Sequence, residues 1–341
     1  YLLSGVSGHG ARSFYYPPKA EANCNGCQMP LQPSDDFGAR PFDGASEPSI
    51  HSHLFPSANT AIAWWRDQPD VIEAHKEFLQ DIVRVDLFGI KEGGEIDGKL
   101  HAPLRPQLPR LQAGKSYLLE AVIRTTKLGH LLTQGTADSN QLWLDLSVSS
   151  GGEVIARSGD MGAEGKVDPD AHFVIVFMLD KDGRRIARRN AEDIFVPLYN
   201  PQIPPGAGQV VHYRLELPEA LNAPISIELK LNYRKFDKEY TDFIAASTGV
   251  DDAPLRDHTP GEPYPNRLPV TVMAMDRVTL PVGSGDPEQS DEVPDIPTWE
   301  RWNDYGIGLL LKGKAELRQA AEAFRKVEEQ GRFDGPLNLA R

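Results

Sequence analysis

Strict alternation of apolar and polar residues runs through the middle of the chain. Ile225, Ile227, Leu229, Leu231 and Tyr233 point one way; Ser226, Glu228, Lys230 and Asn232 point the other. Val211, Tyr213, Leu215 and Leu217 repeat the pattern, as do Tyr117, Leu119, Ala121 and Ile123, and Leu142, Leu144, Leu146 and Val148. A period of two with one wet face is the mark of antiparallel strands. Lys181-Asp182-Gly183, between Phe173–Leu179 and Arg184–Ala187, predicts a hairpin turn. Together these runs predict an antiparallel β-sandwich over 85–283.

The pattern changes on either side. Residues 1–84 show no lasting period and are broken by Pro17, Pro18, Pro30, Pro33, Gly38, Pro41 and Gly44. So long an irregular stretch is uncommon unless something besides a hydrophobic core organises it, and a metal or large cofactor would do so. One short helix is expected there, capped by Asp70, with Val71, Ala74, Phe78 and Ile82 on one face. Residues 284–297, rich in Gly, Pro and acidic side chains, predict a linker. After it the period becomes helical over 298–341, with a break at Gly313 and a further helix opening at Gly335-Pro336-Leu337. The expected class is therefore mixed: an irregular N-terminal segment, an antiparallel sandwich and an α-helical hairpin.

Composition sharpens this. The chain has 341 residues and a formal net charge of −13, which argues against a nucleic-acid partner because phosphate contacts need a basic surface. No apolar run reaches the length of a membrane span. The chain opens at Tyr1 without an initiator Met, so a piece of a longer protein is expected. No Gly-x-Ser-x-Gly, phosphate loop or His-Glu-x-x-His is present, which leaves enzymatic catalysis the weakest of the expected functions.

In the tail, Trp302, Gly306, Ala320 and Phe324, in that order across helix, turn and helix, resemble a tetratricopeptide repeat. The resemblance implies a small residue where two helices approach closely, further repeats beyond the end, and a protein partner for that end. An ordinary helical hairpin packed on the sandwich is the alternative.

There are two cysteines, Cys24 and Cys27. They are too few for a four-cysteine zinc site, although two histidines could complete a mixed one. No βαβ context supports a thioredoxin-like motif. A disulfide across two residues would add little entropic stability. The remaining possibility is thioether attachment of haem, for which a His after the second Cys is usual; here Gln28 stands in that place.

Asn23-Cys24-Asn25-Gly26-Cys27-Gln28-Met29-Pro30 resembles the attachment segments of bacterial multihaem c-type cytochromes. Gly129-His130-Leu131-Leu132-Thr133-Gln134-Gly135-Thr136 is similar to their Gly-His-x-Phe-Pro-x-Gly-Thr stretch, with Leu132-Thr133 in place of Phe-Pro. His51-Ser52-His53-Leu54-Phe55-Pro56 resembles a second such element, and Asp138-Ser139-Asn140 the Asp-Ser-Asn that follows. Arg188–Phe195 and Ile203–Gly206 are similar too, so the likeness extends over nearly the whole chain. The family is the multihaem cytochromes with a β-rich domain and a tetratricopeptide array. It implies haem c, hence iron, on Cys24 and Cys27, with axial ligands from elsewhere. It also implies electron transfer to redox partner proteins or neighbouring haem subunits, in a periplasmic or extracellular setting.

Of the nine histidines, His51, His53 and His130 are the first candidate iron ligands, with His9, among Ser7, Gly8 and Gly10, a further one. His212 is expected on a wet strand face and His75 on a helix surface; His172 is expected to be structural. Tyr15, Tyr16, Trp64 and Trp65 are candidate haem-packing aromatics. The competing function is a non-catalytic binding or scaffolding protein, with a Cys24–Cys27 disulfide and a partner-binding helical tail.

Overall fold

The computed structural model describes residues 5–7, 20–21, 23–135, 139–247, 255–285 and 292–340. His9, Tyr15, Tyr16 and residues 286–291 of the 284–297 segment lie outside the described residues. In chain order the N-terminal part holds α1 (Asn25–Gln28), β1 (Leu31–Pro33), β2 (Ser49–His51), α2 (Thr60–Trp65) and α3 (Pro69–Phe78). Strands β3 (Val83–Glu92), β4 (Leu100–His101), β5 (Ser116–Thr125), β6 (Gln141–Ser150) and β7 (Glu153–Ser158) follow. Next come β8 (Phe177–Leu179), β9 (Arg185–Ile186), β10 (Val196–Tyr199), β11 (Gly208–Glu216) and β12 (Ile225–Arg234). Helix α4 (Lys238–Ser247), β13 (Val270–Leu280), α5 (Thr298–Lys312), α6 (Leu317–Glu329) and α7 (Asp334–Leu339) complete the order.

Two four-stranded antiparallel sheets, β11-β5-β3-β4 and β13-β12-β6-β7, form the body. Leu87, Leu119, Ile123 and Val211 of the first join Leu144, Val148, Leu229 and Val278 of the second in one buried cluster. Leu119, Ile123, Val211, Leu144, Val148 and Leu229 are residues that the alternation placed on one side of their strands. The turn at Lys181–Gly183 joins β8 to β9, where Asp180 N–H donates to the Arg184 carbonyl at 2.9 Å and Gly183 takes a positive φ of 79°.

The other side of the first sheet differs from the expectation. Glu120 and Arg124 alternate outward from Leu119 and Ile123, yet both are fully buried, because α5 and α6 lie across that face. Phe88, Val122 and Val210 of the sheet pack there with Tyr305, Ile307, Leu309, Ala320 and Phe324. The Phe88 and Tyr305 rings stack at 4.4 Å. Two glycines permit the close approach of α5. A Cβ on Gly306 would lie 2.6 Å from the Phe324 ring of α6, and one on Gly308 would lie 2.7 Å from Val210 of β11. The helical hairpin thus closes against the sheet as well as on itself.

Charge fixes its position. Arg301 of α5 reaches through the layer to Asp86 of β3 with two bonds of 2.8 Å, and its remaining nitrogen donates to the Leu104 carbonyl at 2.8 Å. Burial pushes the Asp86 carboxyl up, and Arg301 opposes that. Arg84 pairs with Glu300 at 2.7 Å and with Asp304, which also meets Arg124 Nε at 3.2 Å.

Three smaller expectations change. Helix α3 begins at Pro69, which occupies its first turn, and buries Ile72 and His75 rather than Val71. The actual inward stripe is offset by one residue because α3 packs its side toward the loop at Ser57. His75 is therefore buried and accepts from Ser57 N–H at 3.0 Å, and burial lowers its pKa. His212 is not on a wet face: it sits under the helical hairpin, between two carboxylates.

Two substitutions test this layer. Arg301→Ala leaves Asp86 buried without its partner and is expected to cost about 3–5 kcal/mol in urea unfolding. Gly306→Ala forces the Phe324 ring aside and is expected to cost about 1–3 kcal/mol in the same assay.

Candidate functional site

Helix α1 is a single turn, started by the Asn23 side chain, whose Oδ1 accepts from Asn25 N–H at 2.9 Å and Gly26 N–H at 3.3 Å. Gln28 N–H then donates to the Cys24 carbonyl at 3.0 Å. Residues three apart on a helical turn share one side, which is where Cys24 and Cys27 stand. Both are free thiols with solvent access, and no bond joins them. Partial burial, then the Glu21 carboxylate and Cys24, hold the Cys27 thiol above the usual cysteine range.

The cysteines open onto a cavity of about 730 Å³, within the ~300–1,000 Å³ of ligand and cofactor sites. Val6, Phe78, Leu79, Ile82, Tyr233 and Met273 give it apolar walls. Cys24, Cys27 and Gln28 line one part of it and the stretch from Lys127 to Gly135 another, so His130 belongs to the same cavity as the thiols. That stretch is held by Leu132, which exchanges backbone bonds of 2.9 and 2.8 Å with Ile203. The wall at Ser57 and Ala58 is fixed by His75 and by Tyr233 Oη, which donates to the Ala58 carbonyl at 2.9 Å.

The hydrogen bonds of two histidines define which nitrogen each presents. His130 Nδ1 lies 2.9 Å from the Leu131 carbonyl, an acceptor only, so Nδ1 carries the proton and Nε2 keeps its lone pair. His51 Nδ1 lies 2.7 Å from the Met29 carbonyl and is fixed the same way. β1–β2 pairing sets Leu31 opposite His51 and brings this ring behind α1, edge-on to Phe42 at 5.1 Å, away from the residues lining the cavity. His53 is exposed on the next turn, edge-on to Phe55 at 6.2 Å, and also lies off the cavity. Of the candidate ligands among the described residues, the structure joins His130 alone to Cys24 and Cys27. No group of three or more His, Cys, Asp or Glu able to hold a metal ion occurs among the described residues.

Trp64 and Trp65 leave the candidate set. Trp65 stacks on Phe236 at 5.6 Å and donates to Tyr264 Oη at 2.9 Å, and the Arg256 guanidinium covers Trp64 at 3.8 Å. They pack α2 onto the segment before α4 because their indole faces find an aromatic cluster there. His172 is structural, with Nε2 3.1 Å from Gln209 Oε1, and burial lowers its pKa. Tyr233, Met273 and Phe78 line the cavity without having been singled out as site residues; they come from two strands and a helix, and no spacing in the chain marks them as neighbours. Asn140, of the Asp138-Ser139-Asn140 stretch, lines it just before β6.

No protein-family model matches the chain, and no curated protein matches it. Among solved structures, a penta-heme cytochrome c552 from Thermochromatium tepidum is similar over 76% of this chain and 48% of that one, with a TM-score of 0.42 and 15% identity. The chain thus spans about half the length of that cytochrome. A Pseudomonas fluorescens alkylpurine DNA glycosylase bound to DNA with an abasic-site analogue is similar over 46% of this chain and 29% of that one, with a TM-score of 0.18 and 8% identity. At these scores neither likeness carries an argument. No helix among the described residues is long and apolar enough to cross a membrane.

The thiol chemistry is testable directly. Alkylation of Cys27 by iodoacetamide, followed by mass spectrometry, is expected to have its pH midpoint above that of a thiol in an unstructured peptide. Glu21→Gln is expected to move that midpoint down, because it removes a charge that opposes the thiolate.

Proposed function

We propose that the chain is part of an electron-transfer protein of the multihaem c-type cytochrome kind, with haem c held on Cys24 and Cys27. The observation that carries the reading is the shared cavity: Cys24 and Cys27, on one helical turn, and His130 line the same largely apolar space. The residues fit such a group. The thiols are unbonded and can each form a thioether, the walls are largely apolar, and a neutral imidazole is a good iron ligand. When bound, the haem supplies a one-electron couple. The chain's own part is to hold it rigidly, through the Leu132–Ile203 bridge and the Ala58–Tyr233 bond, in a setting of low polarity.

Gln28 occupies the place where the attachment motif usually has His, and it also lines the cavity. In this reading His130 would ligate the iron. His51 and His53 lie off this cavity and serve as ligands toward neighbouring haem groups, on the same chain or a partner. The setting is periplasmic or extracellular, the partners are redox proteins, and the α5–α6 hairpin with Gly306 under Phe324 is repeat-like.

The test is expression of the chain with a cytochrome c maturation system, followed by intact mass and the pyridine haemochrome spectrum. One covalent haem is expected, lost in the Cys24→Ala/Cys27→Ala double variant. His130→Ala is expected to keep the covalent haem and change its ligand-field bands. Colourless protein of apo mass, with two titratable thiols, would overturn the proposal.

A further inference from the structure

His212 of β11 is the point where the two layers of the interface exchange charge. Its Nδ1 lies 3.0 Å from Glu120 Oε2 of β5, and its Nε2 lies 2.9 Å from Glu316 Oε2, in the turn leading into α6. A neutral imidazole has one N–H and one lone pair. Nε2 is hydrogen-bonded to Glu316, whereas Nδ1 faces Glu120 at ion-pair distance without hydrogen-bond geometry. A neutral ring would set its lone pair against one of the two carboxylates, and only the imidazolium places positive charge between both. The ring is largely buried, and both carboxylates more so, with side-chain exposures of 15%, 0% and 5%.

The surrounding charges call for the same form. From β3, Lys91 meets Glu120 at 3.1 Å; from α5, Lys312 meets Glu316 at 3.0 Å, and Tyr305 Oη donates to Glu120 at 3.2 Å. Glu322 of α6 bears on Tyr305 as well, and His172 feels Lys312 from the far side. Two lysines thus face three carboxylates in this group, and the imidazolium supplies the third positive charge.

We propose that His212 is a pH-operated clasp that holds the α5–α6 hairpin on the sheet. The protonated ring ties Glu120 to Glu316. Loss of its proton as pH rises removes the charge that holds the two carboxylates together and loosens the turn at 313–317. Burial raises the Glu316 carboxyl, but its bonds from His212 and Lys312 outweigh that and hold it below the ordinary range, so it stays ionised while the ring titrates. The clasp is complete at low pH and lost as pH rises.

Hydrogen exchange of 298–340 in the full chain, read by mass spectrometry from pH 5.5 to 8.5 and corrected for intrinsic rates, tests this. Protection of the hairpin is expected to fall with rising pH by about tenfold more in the native chain than in His212→Gln, since one charge-assisted bond is at stake. The slope left in His212→Gln belongs to Glu300, whose carboxyl is pushed up to about 7 by burial and by Asp304. Should His212→Gln fail to fold by circular dichroism, Glu316→Gln is read in its place, with the same reduced pH response expected. Equal pH responses in the native chain and the folded variant would overturn the proposal.

Discussion

Placing Glu120, Lys91, Arg124 and Asp86 on the outer face of a sheet and then covering them removes four ions from water, at several kcal/mol each. The rest of the structure depends on how that cost is offset. Every one of these groups meets an opposite charge: Glu120 meets Lys91 and His212, Asp86 meets Arg301, and Arg124 meets Asp304. The partners of two of them, Arg301 and Asp304, come from the helical hairpin, and His212, which meets Glu120, is itself paired with Glu316 of the turn. The hairpin therefore cannot sit elsewhere without stranding buried charge. Apolar packing of Phe88, Val210, Tyr305 and Phe324 adds non-directional stabilisation, while the ion pairs select the register.

Residues of the second sheet and the loop after β5 frame the cavity. Tyr233 and Met273 extend the β12–β13 pair to the cavity wall, and the stretch carrying His130 leaves β5 near Thr125. The turn that carries the cysteines is light: one helical turn, one Asn side chain bonded to its first N–H groups and a short two-stranded sheet. The imidazole is thus presented from the rigid body, whereas the thiols come from a segment with little core of its own.

Much of the fold was legible in the chain. Strands β5, β6, β11 and β12 fall where the apolar alternation predicted them, since their inner faces share a core whichever elements lie outside. β3 escaped that logic: nearly all of its residues from Val83 to Lys91 are buried, so alternation is erased. The Cys pair and His130 were legible as candidates. Their joining in one cavity was not, because it rests on the bridge between Leu132 and Ile203, 71 positions apart in sequence.

By itself, the sequence determined the strand-and-turn order, the helical tail, the thiols three residues apart and the histidines able to ligate. Local period, turn residues and side-chain chemistry are properties of neighbours along the chain. The tertiary structure decided which polar residues are buried and which histidines matter where. His212 and Glu120 read as solvated strand positions until α5 and α6 covered them. Trp64 and Trp65 read as cofactor neighbours until Phe236, Tyr264 and Arg256 claimed their faces. Burial, and with it the charge state and partner of each ionisable group, depends on what packs from a distance, and no local pattern encodes that.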